Sequence, residues 1–307
     1  METMIKILSA LANVVIVLAV APLLEGIMRK ITARIQSRQG PPILQPYYDL
    51  MKLLIKEDIE SGESPAMQRF SAIMAFASAL TIVAFLPLGF GYGLSSHTDI
   101  ILTIYLLTFC GVCTLIAGLA AGSTYSLVGI SREMMLMIPL EPILAVALII
   151  AATNSGSFKL DAVLNGSIYN SHGVFPISSV IILIIILASF QAYIQRVPFD
   201  ISEAETEIMD GPLVEYSGPK LALFKYSRMI RLVIYCALFI GLFAPWGSNL
   251  IFPFGFLIFW FKVLLLVLLV TVIAATHARY RIDQAINYFA IMLLVSFFAL
   301  ALASIGI

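Results

Sequence analysis

The chain alternates between long apolar runs and shorter polar connections. Crossing the hydrocarbon core of a bilayer takes roughly 20 apolar residues in a helix. Eight runs meet or approach that length, at 4–25, 69–90, 100–121, 134–153, 176–195, 229–245, 252–275 and 286–306. The sixth is the shortest and follows a polar stretch. No interval reads as a strand run, and only helices or closed barrels satisfy their backbone in lipid. The pattern therefore predicts an all-α, polytopic transmembrane helix bundle of about eight spans. It forms one transmembrane domain, 1–307, with two long connections at 26–68 and 196–228.

The first connection contains a second, shorter periodicity. After the stiff turn Gly40-Pro41-Pro42, apolar Ile43, Leu44, Tyr47, Leu50, Met51, Leu54 and Ile55 recur at helical spacing. Gln45, Asp49, Lys52 and Lys56 take much of the other face. This predicts an amphipathic helix of about four turns lying on the membrane surface or against a partner. Both a lipid-surface element and a docking platform for a soluble subunit fit it, and Arg34, Arg38 and Gln39 just upstream suit the same contact.

Composition sharpens the class. Of 307 residues, 61% are hydrophobic and only 12% charged, against about a quarter charged in soluble domains; the mean hydropathy is +1.00. A disordered chain, a nucleic-acid-binding module and an ordinary cytosolic enzyme are excluded. The net charge is zero, so the placement of charge carries the information. Fifteen of the eighteen basic residues lie on alternate connections. By the positive-inside rule this predicts an even number of crossings, both termini outside, and the two long connections in the cytoplasm. The first apolar run lacks a small-residue cleavage site and reads as a retained helix. No internal repeat is visible, which weakens the reading as a secondary carrier.

Two features carry candidate chemistry. The stretch 196–218 (RVPFDISEAETEIMDGPLVEYSG) holds Asp200, Glu203, Glu205, Glu207, Asp210 and Glu215, six carboxylates in sixteen positions. If 200–210 is helical, Asp200, Glu203, Glu207 and Asp210 share one face, and in a partly buried site their mutual repulsion raises pKa values towards neutrality. The apolar residues between them argue against a freely solvated tail. The second feature is Glu141, between Pro139 and Pro142. It lies about 13 Å into the fourth span at roughly 1.5 Å per residue, a costly depth for an ionisable group and a functional-site hypothesis. Lys262, within the seventh span, is its obvious counter-charge, and a structural ion pair is the plainer alternative. Cys110, Cys113 and Cys236 sit in apolar runs, and His97, His172 and His277 are scattered, so no metal site is expected.

Four separated segments carry a resemblance. RIQSRQGPPILQPYYDLMKLLIKE at 34–57, GLAAGSTYSLVGISREMMLMIPLEP at 118–142, PFDISEAETEIMDGPLVEYSG at 198–218 and RYRIDQ at 279–284 resemble the membrane subunit shared by respiratory complex I and energy-converting nickel–iron hydrogenases. The family has eight spans with both termini outside. Gly40-Pro41-Pro42 closing onto Ile43-Leu44-Gln45-Pro46, Tyr47-Tyr48-Asp49, and Glu207-Ile208-Met209-Asp210-Gly211-Pro212-Leu213 look more like the hydrogenase branch. That branch includes formate hydrogenlyase, Ech-type and archaeal membrane-bound enzymes.

The resemblance implies a non-catalytic subunit that links redox chemistry to proton or sodium translocation in the cell membrane. It implies no cofactor in this chain, with a nickel–iron centre and iron–sulfur clusters in partner subunits. The implied partners are the hydrogenase large and small subunits, iron–sulfur subunits, antiporter-like membrane subunits and lipid. By the same resemblance Glu141 matches an intramembrane glutamate, Glu203, Glu205, Glu207, Asp210 and Glu215 match an acidic loop, and Asp283 matches the aspartate of Arg-x-Asp-Gln. The alternatives are the quinone-site subunit of a complex I type dehydrogenase, a stand-alone ion transporter, and a structural anchor.

Overall fold

The computed structural model describes residues 2–59, 64–89, 94–165, 167–169, 177–247 and 253–306. Helices α1 (Glu2–Ile35), α3 (Pro65–Phe85), α4 (Ile100–Ala121), α5 (Thr124–Ser155), α9 (Gly218–Phe243), α10 (Phe254–Thr276) and α11 (Ile282–Ile305) are long and apolar enough to cross a membrane. Helix α7 (Ile177–Tyr193), with 17 residues, is a shorter apolar span and makes the eighth. Helix α2 (Gln45–Ile55) and the single turns α6 (Leu160–Val163) and α8 (Glu205–Ile208) complete the α-helices among the described residues. Among the described residues there is no strand.

Helix ends follow local sequence. Ser123 Oγ accepts from the Ser126 amide at the start of α5, while Gly122 and Gly156, both at positive φ, end α4 and α5. Pro46, Pro65 and Pro219 occupy first turns, where a missing N–H costs nothing. Helix α9 is central: 72% of its apolar window is buried, against 28% for α10 and 22% for α11, whose outer faces remain for lipid or other subunits. Helix α3 packs on α4 and α9, α1 on α9 and α10, and α11 on α5 and α7. Between α3 and α4, buried Ala72, Ala75, Cys110, Cys113 and Ala117 form a seam of small side chains. Such side chains permit the close backbone approach that drives packing in lipid.

Three boundaries depart from the hydropathy reading. The sixth span begins at Gly218, so Lys220, Lys225, Arg228 and Arg231 are helical. Lys220, Arg228 and Arg231 face the partners Asp58, Glu203 and Gln195, while Lys225 is exposed, and hydropathy averaged along the chain reads all four as a loop. The fourth span begins at Thr124 and carries Arg132, and the first runs to Ile35 and carries Arg29, Lys30 and Arg34. The amphipathic helix is one turn shorter than expected, starting at Gln45. Its Pro46 and Leu50 are buried, while Tyr48, Met51, Leu54 and Ile55 are exposed. The segment 200–210 is not a helix apart from Glu205–Ile208, so its carboxylates share no helical face. His172 lies outside the described residues.

Candidate functional site: a charged cavity leading to Glu141

The acidic segment folds back over one end of the bundle, and two glycines allow it. A Cβ on Gly211, at φ +52°, would lie 2.0 Å from the Ser202 carbonyl oxygen, and one on Gly129 would lie 2.9 Å from Gly211 Cα. Close backbone contact thus ties the loop to itself and to α5. Arg132 pairs with Glu207 at 2.6 Å, and Ser126 Oγ donates to the Pro212 carbonyl at 3.3 Å.

Beneath the loop lies a cavity of about 390 Å³ walled by charge. Glu25, buried at 5% exposure, is held by Arg29 at 3.3 Å and by a close contact with Arg196. Arg29 reaches on to Asp49 of α2 at 2.9 Å. Glu203 pairs closely with Arg228, and Asp200 with Arg279 at 3.5 Å. Burial pushes the Asp200 carboxyl above the usual carboxylate range; Glu203 adds to that, and Arg228, Arg279 and Arg196 oppose it. Three of the loop carboxylates are therefore each held by an arginine: Glu203 from α9, Glu207 from α5 and Asp200 from the connection before α11.

At the inner edge of this cavity the network narrows to Gln195 and Arg231. Gln195 is a non-glycine residue at φ +56°, a costly backbone that points to function when it positions a side chain. Its amide nitrogen donates to Glu133, and its oxygen accepts from Arg231 at 3.0 Å. Glu133 is buried at 6% exposure. Gln195, Arg231, Glu133 and Glu141 line a further cavity of about 50 Å³, together with Tyr193 and Tyr235. Glu141 also lines a lateral groove of about 540 Å³ between α4 and α5, with Thr108, Met134 and Ile138. Its carboxylate rests on the small Gly111, where a Cβ would lie 3.8 Å from Oε1. Tyr193 donates to the Leu140 carbonyl at 2.9 Å, bracing α7 against the proline-flanked segment of α5. Glu141 thus stands between a polar interior and an apolar groove.

Lys262 is not the counter-charge of Glu141. Its ammonium donates to the carbonyls of Ala244, at 2.7 Å, and Trp246, and lies 5.9 Å from the Trp246 ring. Those carbonyls lie just past the end of α9, where helix termini leave acceptors unsatisfied, and a lysine stem is long enough to carry its head to them.

The remaining predicted residues lie around the charged end. Asp210 is exposed and lines the cavity rim. Glu207 and Glu215 are exposed, and the Glu205 side chain lies outside the described residues. Asp283 is exposed in the first turn of α11. Arg34, Arg38, Gln39 and Lys52 are exposed; Arg38 donates to Gln36, and the Gln39 carbonyl accepts from Lys30. Asp49 is committed to Arg29 and Gln45. Among the described residues no group of three His, Cys, Asp or Glu side chains converges on a metal position.

Sequence reasoning missed Glu25, Glu133, Gln195, Arg196, Arg228 and Arg231. One signal was present: Glu133, Met137 and Glu141 recur every fourth position and so share a helix face. Gln195 left none, because its role depends on a backbone angle.

Comparison with known proteins follows the same outline. Formate hydrogenlyase subunit 4 of Escherichia coli (strain K12) is 33% identical over 288 residues, covering 91% of this chain and 92% of that protein. Hydrogenase-4 component C of the same organism is 34% identical over 283 residues, covering 90% and 89%. A chain of the membrane-bound sulfane sulfur reductase, an archaeal respiratory membrane complex, superposes with a TM-score of 0.86 at 26% identity, covering 97% of this chain and 99% of that one. The family model described as NADH dehydrogenase matches residues 7–304, and this multi-pass membrane protein belongs to that family.

Proposed function

We propose that the chain is the ion-translocating membrane subunit of an energy-converting nickel–iron hydrogenase complex in the cell membrane, with its charged end in the cytoplasm and both termini outside. The observation that carries this reading is the row of polar groups lining two adjoining cavities, from the charged cavity through Gln195 and Arg231 to Glu133 and Glu141, the last of which also lines a lateral groove. The names of the Escherichia coli relatives support the hydrogenase branch.

In this reading the hydrogenase large and small subunits and the iron–sulfur subunits dock over the exposed Arg34, Gln39 and Lys52 and the acidic loop. The nickel–iron centre and iron–sulfur clusters reside in those partners. A change of charge there shifts the balance between Asp200, Glu203 and their arginines. Protons move between the loop and Glu133, then to Glu141, and leave sideways into antiporter-like subunits. Arginines hold the loop carboxylates in place, and Gln195 orients Glu133.

The second reading is the quinone-site subunit of a complex I type enzyme, which the family match favours. The charged wall of the 390 Å³ cavity favours the hydrogenase branch, because a quinone ring and tail ask for apolar walls. Affinity purification of the tagged chain from native membranes separates the two. A nickel–iron large subunit and hydrogen-linked acidification of sealed vesicles are expected. Co-purifying flavin and pyridine-nucleotide subunits with quinone reductase activity would overturn the proposal.

A further inference from the structure

A second opening lies at the charged end, distinct from the cavity and from the lateral groove. It is a groove of about 420 Å³ between α1, the turn at Gly40-Pro41 and α10. Its head is lined by Arg29, Arg38 and Arg196 with the Glu25 carboxylate that pairs two of them, and its walls by Thr32, Thr271 and Ala274. The wall residues belong to the last two turns of α1 and α10, where apolar helix gives way to polar connection. Helix α10 turns most of its surface outward, with Val272 exposed next to the groove.

Charge accounting leaves an excess. Arg29 pairs with Glu25 and Asp49, Arg196 pairs with Glu25, and among the described residues the Arg38 side chain meets the neutral Gln36 amide and no carboxylate. Three guanidinium groups therefore face two carboxylates, and one positive charge is unmatched. The guanidinium fork suits the oxygens of a phosphate, and a phosphodiester carries one negative charge.

We propose that this groove holds the headgroup phosphodiester of an anionic phospholipid, with Arg38, Arg29 and Arg196 around the phosphate and an acyl chain along Thr271 and Ala274 between α1 and α10. Basic pockets between transmembrane helices at the membrane surface recognise lipid in this way. The occupant is lipid and not free phosphate because the groove runs on past the arginines along Thr32, Thr271 and Ala274, on the ends of two helices long and apolar enough to span a membrane. Arg29 and Arg196 also line the charged cavity, so a lipid here sits one arginine layer away from it.

The test is native mass spectrometry of the intact membrane complex in mild detergent, titrated with phosphatidylglycerol, phosphatidylcholine and inorganic phosphate. Wild type should retain phosphatidylglycerol in preference to phosphatidylcholine. Arg38→Gln, at an exposed site, should weaken that retention about fivefold, the effect of one basic side chain near the surface. Ala274→Phe keeps every charge but fills the groove, and should abolish retention while the complex stays assembled. Equal retention of the two lipids, or retention unchanged in both variants, would overturn the proposal. So would displacement of the lipid by low-millimolar inorganic phosphate, which would make the groove a free-anion site.

Discussion

Gln195 donates its amide to the buried Glu133 carboxylate, and it does so from a backbone angle that side chains rarely adopt. The same amide accepts from Arg231 at 3.0 Å, so the arginine steadies the glutamate through an uncharged intermediary. Glu133 is thus tied to Arg231 through an amide and not by a direct ion pair.

Removing that amide tests the arrangement. Gln195→Ala takes the amide donor from Glu133, which keeps the Ser202 hydroxyl, and the acceptor from Arg231, a loss of about 1–3 kcal/mol. Gln195→Gly loses the same bonds but relieves the positive φ, so it should be more stable than the alanine variant by about 1 kcal/mol. Thermal unfolding of the purified complex followed by fluorescence reads the order of the two. Equal stability would show that the backbone angle carries no cost.

Glu141→Gln should assemble normally, since a neutral amide is cheaper to bury than a charge, and should cut hydrogen-linked proton movement at least tenfold. Glu133→Gln should behave alike. Sealed vesicles containing the whole complex and a pH-sensitive dye measure it. Wild-type rates in either variant would take that residue off the path.

Arg228→Gln leaves Glu203 without its partner and Asp200 with less compensation. The expected loss is about 2 kcal/mol, below the 3–5 kcal/mol of a fully buried pair because both ends keep some exposure. Adding Glu203→Gln should recover most of it, and a double-mutant cycle by thermal unfolding makes the comparison.

Asp200 sets a pH dependence with a defined sign. Its carboxyl titrates above the ordinary aspartate range because it is buried. Its contribution to folding is therefore complete below about pH 4, the unfolded value, and declines as pH rises through the folded one. Asp200→Asn should flatten the fall in melting temperature of the complex as pH rises above about 4. A fall as steep as in wild type would assign the dependence to other groups.

Orientation is open to direct measurement. Gln39 and Gln284 lie at the charged end, and His97 is exposed near Ser96, which accepts from Lys6 at the other. Cysteines at the first two should react with an impermeant reagent only from the cytoplasm, and one at His97 only from outside. The reverse pattern would invert the topology.

Much of this was legible in the chain. Apolar run length gave eight crossings, and depth alone marked Glu141. The start of α9 was misread because Arg228 and Arg231 lower the local hydropathy, although their partners make them interior residues. Lys262 was misassigned because position along a span says nothing about rotation around it. A search for opposite charge also overlooks backbone carbonyls, which are what Lys262 holds. Gln195 was out of reach: its neighbours Glu133 and Arg231 come from different helices.

The cap that Lys262 places on the end of α9 has a consequence for the bilayer itself. With Pro219 in its first turn and this ammonium on the carbonyls just past its last turn, α9 is a rod with both ends fixed. Its 26 residues span about 39 Å at 1.5 Å per residue, against a hydrocarbon thickness of about 30 Å. The surplus is about 9 Å, and one end of the rod is anchored among the apolar Phe254–Thr276 helix while the other carries Lys220, Lys225 and Arg228. Helix α9 is also the most buried of the seven long helices, so a change of acyl-chain length reaches the charged cavity only through the tilt of the outer helices packed on it, α1 and α10.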